Sequence, residues 1–145
     1  MTRLVLALFL IALPAGVPAD DAGLTDLDSL RWKHRVVLID ARGEDAGNAR
    51  ASLQAATAGV AERDILWFII GDNGQVFTNH PRPVDEAFGA RMSERHFAPS
   101  SAVRVVLIGK DGGVKSRSQD LDLEEIFGAI DRMPMRKREM RRAPG

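Results

Sequence analysis

What the chain lacks narrows its chemistry more than what it contains. It has no cysteine, no tyrosine, two tryptophans and no net formal charge. Without a thiolate there is no CxxC redox centre, no peroxidatic nucleophile and no thiolate metal ligand. A domain of this composition is held together by its core and not by disulfides. Zero net charge gives no bulk attraction to nucleic acid or to an anionic membrane, and nucleic acid is not expected as a partner. No apolar run reaches the roughly 18 residues of a membrane-spanning helix, so no transmembrane anchor is expected. The nucleophile elbow GxSxG and the phosphate loop GxxxxGK[ST] are both missing. His34, His80 and His96 are the only histidines and have no paired metal spacing. His80 and His96 flank a helix with Asp72, Asp85 and Glu86 close in sequence, which leaves a converged site open beside ordinary surface histidines. The expectation is no cofactor.

What is present is an ordinary globular mixture of 145 residues, 45% hydrophobic and 28% charged, enough for one hydrophobic core. Arg3, the apolar run Leu4 to Leu13, Pro14 and the small-residue site Val17-Pro18-Ala19 follow the order of a cleavable signal peptide. The run spans about 15 Å as a helix, half of a hydrocarbon core of roughly 30 Å. Cleavage is expected after Ala19, with a periplasmic or secreted destination. Residues 1–19 then form the leader, 20–133 one domain, and 134–145 a basic, disordered tail.

Asp20 to Ser29 is polar and reads as frayed. Val36 to Ile39 predicts a buried strand. Ala46, Ala49, Leu53, Ala56 and Val60 recur at helical spacing and predict one alanine-rich helix. Ile65 to Ile70 is apolar on both faces, as in a central strand covered by helices on each side. Val76 to Thr78 fits a short strand or an extended loop. Pro81 and Pro83 precede a helix expected over 84–93. Val103 to Ile108 is the next core strand, and Lys110-Asp111-Gly112-Gly113 is a tight turn returning through Val114 to Arg117. Asp122 and Glu125 have capping-box spacing ahead of a helix striped with Leu123, Ile126, Phe127 and Ile130, which Pro134 ends. The order β-α-β-α-β-β-α predicts an α/β, thioredoxin-like fold: a central mixed sheet of four or five strands with helices on both faces.

The segments Leu30 to Ile39 (LRWKHRVVLI), Glu62 to Ile65 (ERDI) and Leu107 to Lys115 (LIGKDGGVK) resemble the DUDES family. Those are exported thioredoxin-like domains of unknown function, related to domains of animal sushi-repeat and equarin-type extracellular proteins. The resemblance runs from about Leu30 to Met133. It implies a thioredoxin-like fold and a distant relation to peroxiredoxins, and it carries no established activity or catalytic residue. The chain departs from working thioredoxins in the loop Ala41 to Asp45, which has no cysteine. It departs again before the third core strand, where Ser101 and Ala102 stand in place of a proline.

Eight residues form the candidate ligand or interaction surface: Trp32, Asp40, Arg42, Glu44, Asp45, Arg63, Asp64 and Lys110. Asp40, Arg42, Glu44 and Asp45 follow the first strand, where α/β folds commonly bind ligands, and equally suit the first turn of a helix. Arg63-Asp64 reads either as a buried polar pair at a functional edge or as a solvated helix C-terminus. Trp32 lines a groove or forms an apolar lid on the sheet end. From Asp131 to Arg142, just before and along the tail, Arg132, Arg136, Lys137, Arg138, Arg141 and Arg142 stand against Asp131 and Glu139. At about 1 kcal/mol per basic residue the tail supports only weak contact with an anionic surface, and its removal is expected to leave folding nearly intact. The function expected is a non-redox binding or interaction module for an unknown protein or small ligand outside the cytoplasm. The alternative is an enzyme with a cysteine-independent, peroxide-related activity at the ancestral thioredoxin site.

Overall fold

Two apolar strands, each buried along its whole length, set the architecture. β1 (Arg35–Asp40) and β2 (Ile65–Ile70) pair in parallel from Arg35↔Ile65 to Asp40↔Ile70. The computed structural model describes residues 23–41 and 45–143; the expected leader and its cleavage point lie outside them, as do Arg42, Gly43 and Glu44. Between β1 and β2 the chain crosses over through α1 (Asp45–Ala55) and α2 (Thr57–Glu62). β4 (Val105–Ile108) runs antiparallel on the other side of β1, and β5 (Val114–Ser118) is antiparallel to β4 at the edge. β3 (Val76–Thr78) is a strand, antiparallel to β2 at the opposite edge. The sheet order β3-β2-β1-β4-β5 gives the five-stranded, mixed α/β sheet of a thioredoxin-like fold.

The period-two alternation of strand side chains divides the core into two clusters, one on each face. Val37, Ile39, Ile65, Trp67, Ile69, Val105 and Leu107 pack with Leu53, Val60, Ile126 and Ile130. They are therefore covered by α1, α2 and α4 (Leu123–Asp131). On the other face, Val36, Leu38, Leu66, Phe68, Ile70, Val106 and Ile108 pack with Phe88, Met92 and Phe97, under α3 (Phe88–His96) and the N-terminal segment. Gly89 lets α3 approach the turn after β2 backbone to backbone, because a Cβ there would overlap the Gly74 carbonyl oxygen. α4 is capped as its sequence predicts, with Asp122 Oδ1 accepting the Glu125 N–H at 2.9 Å. The glycine turn also forms: Gly109 N–H bonds the Gly113 carbonyl, and Gly112 takes φ +82°.

Several elements differ from the sequence expectation, each for a local reason. The segment before β1 is not frayed from residue 23 onward, since Leu24 bridges Val84 and both Leu24 and Leu30 are buried. The alanine-rich helix is two helices, broken where the Thr57 hydroxyl donates to the Gln54 carbonyl at 2.6 Å and competes with the backbone ladder. α3 begins at Phe88 and not at Val84, because Val84 is held in the bridge to Leu24. β4 begins at Val105 and not at Val103, whose N–H goes to the Ser101 hydroxyl at 3.1 Å. The largest correction concerns the tail. Pro134 does not end the structure; it is the first residue of α5 (Pro134–Arg142), where its missing N–H has no ladder partner to lose. Arg136 of that helix is 6% exposed.

Candidate functional site

The parallel strands give the sheet two unlike ends, and the predicted surface residues divide between them. At the carboxyl end, Asp40 closes β1 with its N–H on the Arg104 carbonyl at 2.8 Å. Its carboxylate accepts from Arg104 Nη1 at 3.1 Å. Asp45 is exposed at the start of α1, where a carboxylate complements the helix dipole. Asp40, Asp45 and Arg104 line one shallow groove of about 340 Å³. Asp40 also lines a second of about 670 Å³, with Gly71, Asp72, Phe97 and Pro99. Arg42 and Glu44, predicted beside them, lie outside the described residues.

The amino end is built from buried cations. Arg35, the first residue of β1, is 1% exposed, with Nη1 on the Arg63 carbonyl at 2.9 Å and its fork on Glu139 of α5 at 3.2 and 3.3 Å. Lys110 reaches the same carboxylate at 2.8 Å and Asp64 at 2.7 Å. Arg63 grips Asp131 through Nε and Nη2 at 3.0 and 2.7 Å, with its guanidinium 4.6 Å from the Phe127 ring centroid. Arg136 completes the network on Asp131 and on Glu62, whose side chain it meets at 2.6 Å. Both expected readings of Arg63-Asp64 therefore hold in part: Arg63 is tied into an ionic cluster, yet it also bonds the Gly59 carbonyl of the last turn of α2 at 3.2 Å, and Asp64 is 47% exposed. Hydrogen bonds from Arg63 first, then Arg136, hold the Asp131 carboxyl below its ordinary range against the opposing effect of burial. Burial pushes the Glu139 carboxyl up, but the bonds from Lys110 and Arg35 together outweigh it and hold the group below its ordinary range.

Trp32 sits at the edge of this end. It is 64% exposed, so it is not a lid. Its backbone takes φ 67°, left-handed and strained for a residue with a large side chain, and its N–H donates to the Lys110 carbonyl at 2.6 Å. The neighbouring guanidinium of Arg31 lies 6.0 Å from the indole centroid and bonds the Asp111 carbonyl at 3.0 Å. A groove of about 370 Å³ opens nearby, lined by Arg31, His34, Arg95, His96 and Asp111 among others. Trp32 is not one of its lining residues. Burial, then Arg117 and Arg95, hold the His96 imidazole below its ordinary value, so it is neutral at pH 7.

Trp32, Arg63, Asp64 and Lys110 therefore come together at the amino end, while Asp40 and Asp45 stand at the other. Arg35, Asp131, Arg136 and Glu139 were not anticipated as site residues. The one sequence signal for Arg35 is an arginine abutting a strand that is buried on both faces. The histidines do not converge: His80 bonds the Arg82 carbonyl at 2.8 Å, and Asp85 pairs with Arg91 at 2.6 Å. Among the described residues no group of histidine, aspartate and glutamate side chains could hold a metal ion. Nor, among them, is any helix long and apolar enough to cross a membrane.

A family model described as a domain of unknown function (DUF4174) matches residues 26–139, from just ahead of the turn before β1 to Glu139 in α5. No curated protein and no solved structure matches the chain.

Proposed function

Starting from the fact that the chain belongs to the DUF4174 family, we propose that it is an exported, non-redox binding module whose partner contacts the amino end of the sheet around Trp32. One observation carries this reading. A large aromatic side chain is held out in solvent by strained but hydrogen-bonded backbone, with an arginine beside it. Folding gains little from an indole in that position. Tryptophan and arginine are, however, the residue types that most often anchor protein interfaces. The buried cations behind Trp32 keep the surface rigid, which lowers the ordering cost of association. Resemblance to the exported DUDES domains and the signal-peptide pattern of residues 1–19 support a partner outside the cytoplasm. The absence of cysteine supports a non-redox role.

The test compares the mature protein with Trp32→Gly, a substitution that suits the positive φ and should leave the fold intact. Both are used to recover partners from the native envelope fraction. A partner retained by the natural chain and lost with the glycine variant is the expected result. Equal recovery by both would remove Trp32 from the contact. Metal-free, multiple-turnover consumption of hydrogen peroxide, abolished by substituting Arg42 or Asp45, would replace this reading with the enzymatic alternative.

A further inference from the structure

A cavity of about 330 Å³ lies between the β4–β5 turn and the junction of α4 and α5, lined by Arg35, Lys110, Asp111 and Lys115 together with Met133, Pro134 and Met135. We propose that this cavity and the cations behind it form a binding site for a small organic carboxylate with an apolar body, and that Glu139 occupies the site's anion position as an internal ligand. The assignment is independent of any role for Trp32.

The geometry of the internal contact is that of ligand recognition. Both terminal nitrogens of Arg35 face the two oxygens of Glu139, and Lys110 Nζ binds the oxygen that Nη2 holds. A forked guanidinium on a planar carboxylate, reinforced by an ammonium, is how proteins select carboxylates. The cradle is preformed and deep, since Arg35 is 1% and Lys110 9% exposed. It is also incompletely satisfied: Arg35 Nε is buried without a hydrogen-bond partner. Met133, Pro134 and Met135 supply the cavity's apolar wall, and Lys115 and Asp111, which also line it, neutralise each other in an ion pair at 2.7 Å, so the positive charge comes from Arg35 and Lys110.

Tethering sets the affinity. Glu139 belongs to a short helix joined to α4 through Met133, whose φ and ψ of −68° and 141° are extended. An outside carboxylate must compete with an attached one, whose effective concentration is of order millimolar or higher. The natural chain should therefore bind such ligands at least about ten-fold more weakly than a chain whose internal carboxylate is gone. α5 acts as a latch that the right acid displaces.

The experiment uses the full mature chain and sodium hexanoate as probe, with hexanol and sodium chloride as controls. Glu139→Ala should lower the melting midpoint by about 10 °C. Hexanoate should restore at least half of that loss saturably, while hexanol and chloride should not. The natural chain should shift far less at the same concentration. Adding Lys110→Ala to Glu139→Ala should abolish the rescue. If Glu139→Ala is unfolded alone, hexanoate should restore its near-ultraviolet circular dichroism. Glu139→Gln, which keeps the helix contact without the charge, should fold and bind hexanoate more tightly than the natural chain by calorimetry. Absence of rescue in Glu139→Ala, or rescue by hexanol as effective as by hexanoate, would overturn the assignment.

Discussion

The two ends of the sheet handle charge in opposite ways. At the amino end, Arg35, Lys110 and Arg136 are withdrawn from water, and each pairs with carboxylates from other parts of the chain: Glu139 in α5 for Arg35, Asp64 before β2 and Glu139 for Lys110, and Glu62 in α2 and Asp131 in α4 for Arg136. At the carboxyl end the buried partner is the carboxylate: Asp40 is 10% exposed, and its cation, Arg104, stands at the rim at 34%. Removing one partner of a buried pair strands an uncompensated charge, whereas water substitutes readily for a partner at the rim. One end should therefore be structurally unforgiving and the other tolerant.

Truncation after Met133 tests that contrast most severely. It removes Glu139 from Arg35 and Lys110, and Arg136 from Asp131, and should cost at least about 4 kcal/mol. The melting midpoint should fall by more than roughly 10 °C, opposite to the near-neutral outcome expected from the tail's composition. A midpoint within a few degrees of the full chain would break the comparison. Arg63→Ala comes next, at about 2 kcal/mol, because it takes two charge-assisted hydrogen bonds from Asp131; denaturant unfolding measures it. An acid series sharpens the same point with a smaller effect. The Asp131 and Glu139 carboxyls sit below their ordinary values of 3.8 and 4.5. Their contribution is therefore complete above those values and is lost as pH falls through the lowered ones. Melting midpoints should drop between about pH 5 and pH 3, and drop less in Glu139→Gln; an equal drop would place the acid sensitivity elsewhere.

Asp40→Asn, the matching substitution at the tolerant end, leaves Arg104, 34% exposed, within reach of water and should cost about 1 kcal/mol. A loss as large as that of Arg63→Ala would erase the distinction between the ends. Trp32→Gly should have the smallest effect, between zero and about 1 kcal/mol of stabilisation, because glycine accepts the left-handed backbone that tryptophan resists. Clear destabilisation would mean that the indole supports the fold.

Sequence reading succeeded where information is local. ILWFII suits a strand covered on both faces, and β2 is one; Lys110 to Gly113 and Asp122 carry their turn and cap in their own side chains. It failed where a residue's role is set by a distant partner. Glu139 is a lone acid among Arg136, Lys137, Arg138, Arg141 and Arg142, and composition files it with a solvated basic tail. Its partners lie 104 and 29 positions away, a relation no window of the sequence contains. Pro134 misled for a related reason, since the same residue stops one helix and starts the next. For the candidate surface, Arg63, Asp64 and Lys110 drew attention as charges beside strands. Arg35, the first residue of a strand buried along its whole length, was absorbed into the apolar run that follows it.

The long reach from Arg35 to Glu139 also has a bearing on how the chain is made. Synthesis runs from the amino terminus, so β1 exists long before α5 does, and early segments begin to fold as they appear. Until residue 139 has emerged, the arginine at the head of the central strand has no Glu139 to receive it, and Lys110, once made, shares the deficit. A prematurely ended chain must either leave that strand's edge open to water or bury a bare cation. Docking of α5 thereby neutralises, late in synthesis, a cation placed early.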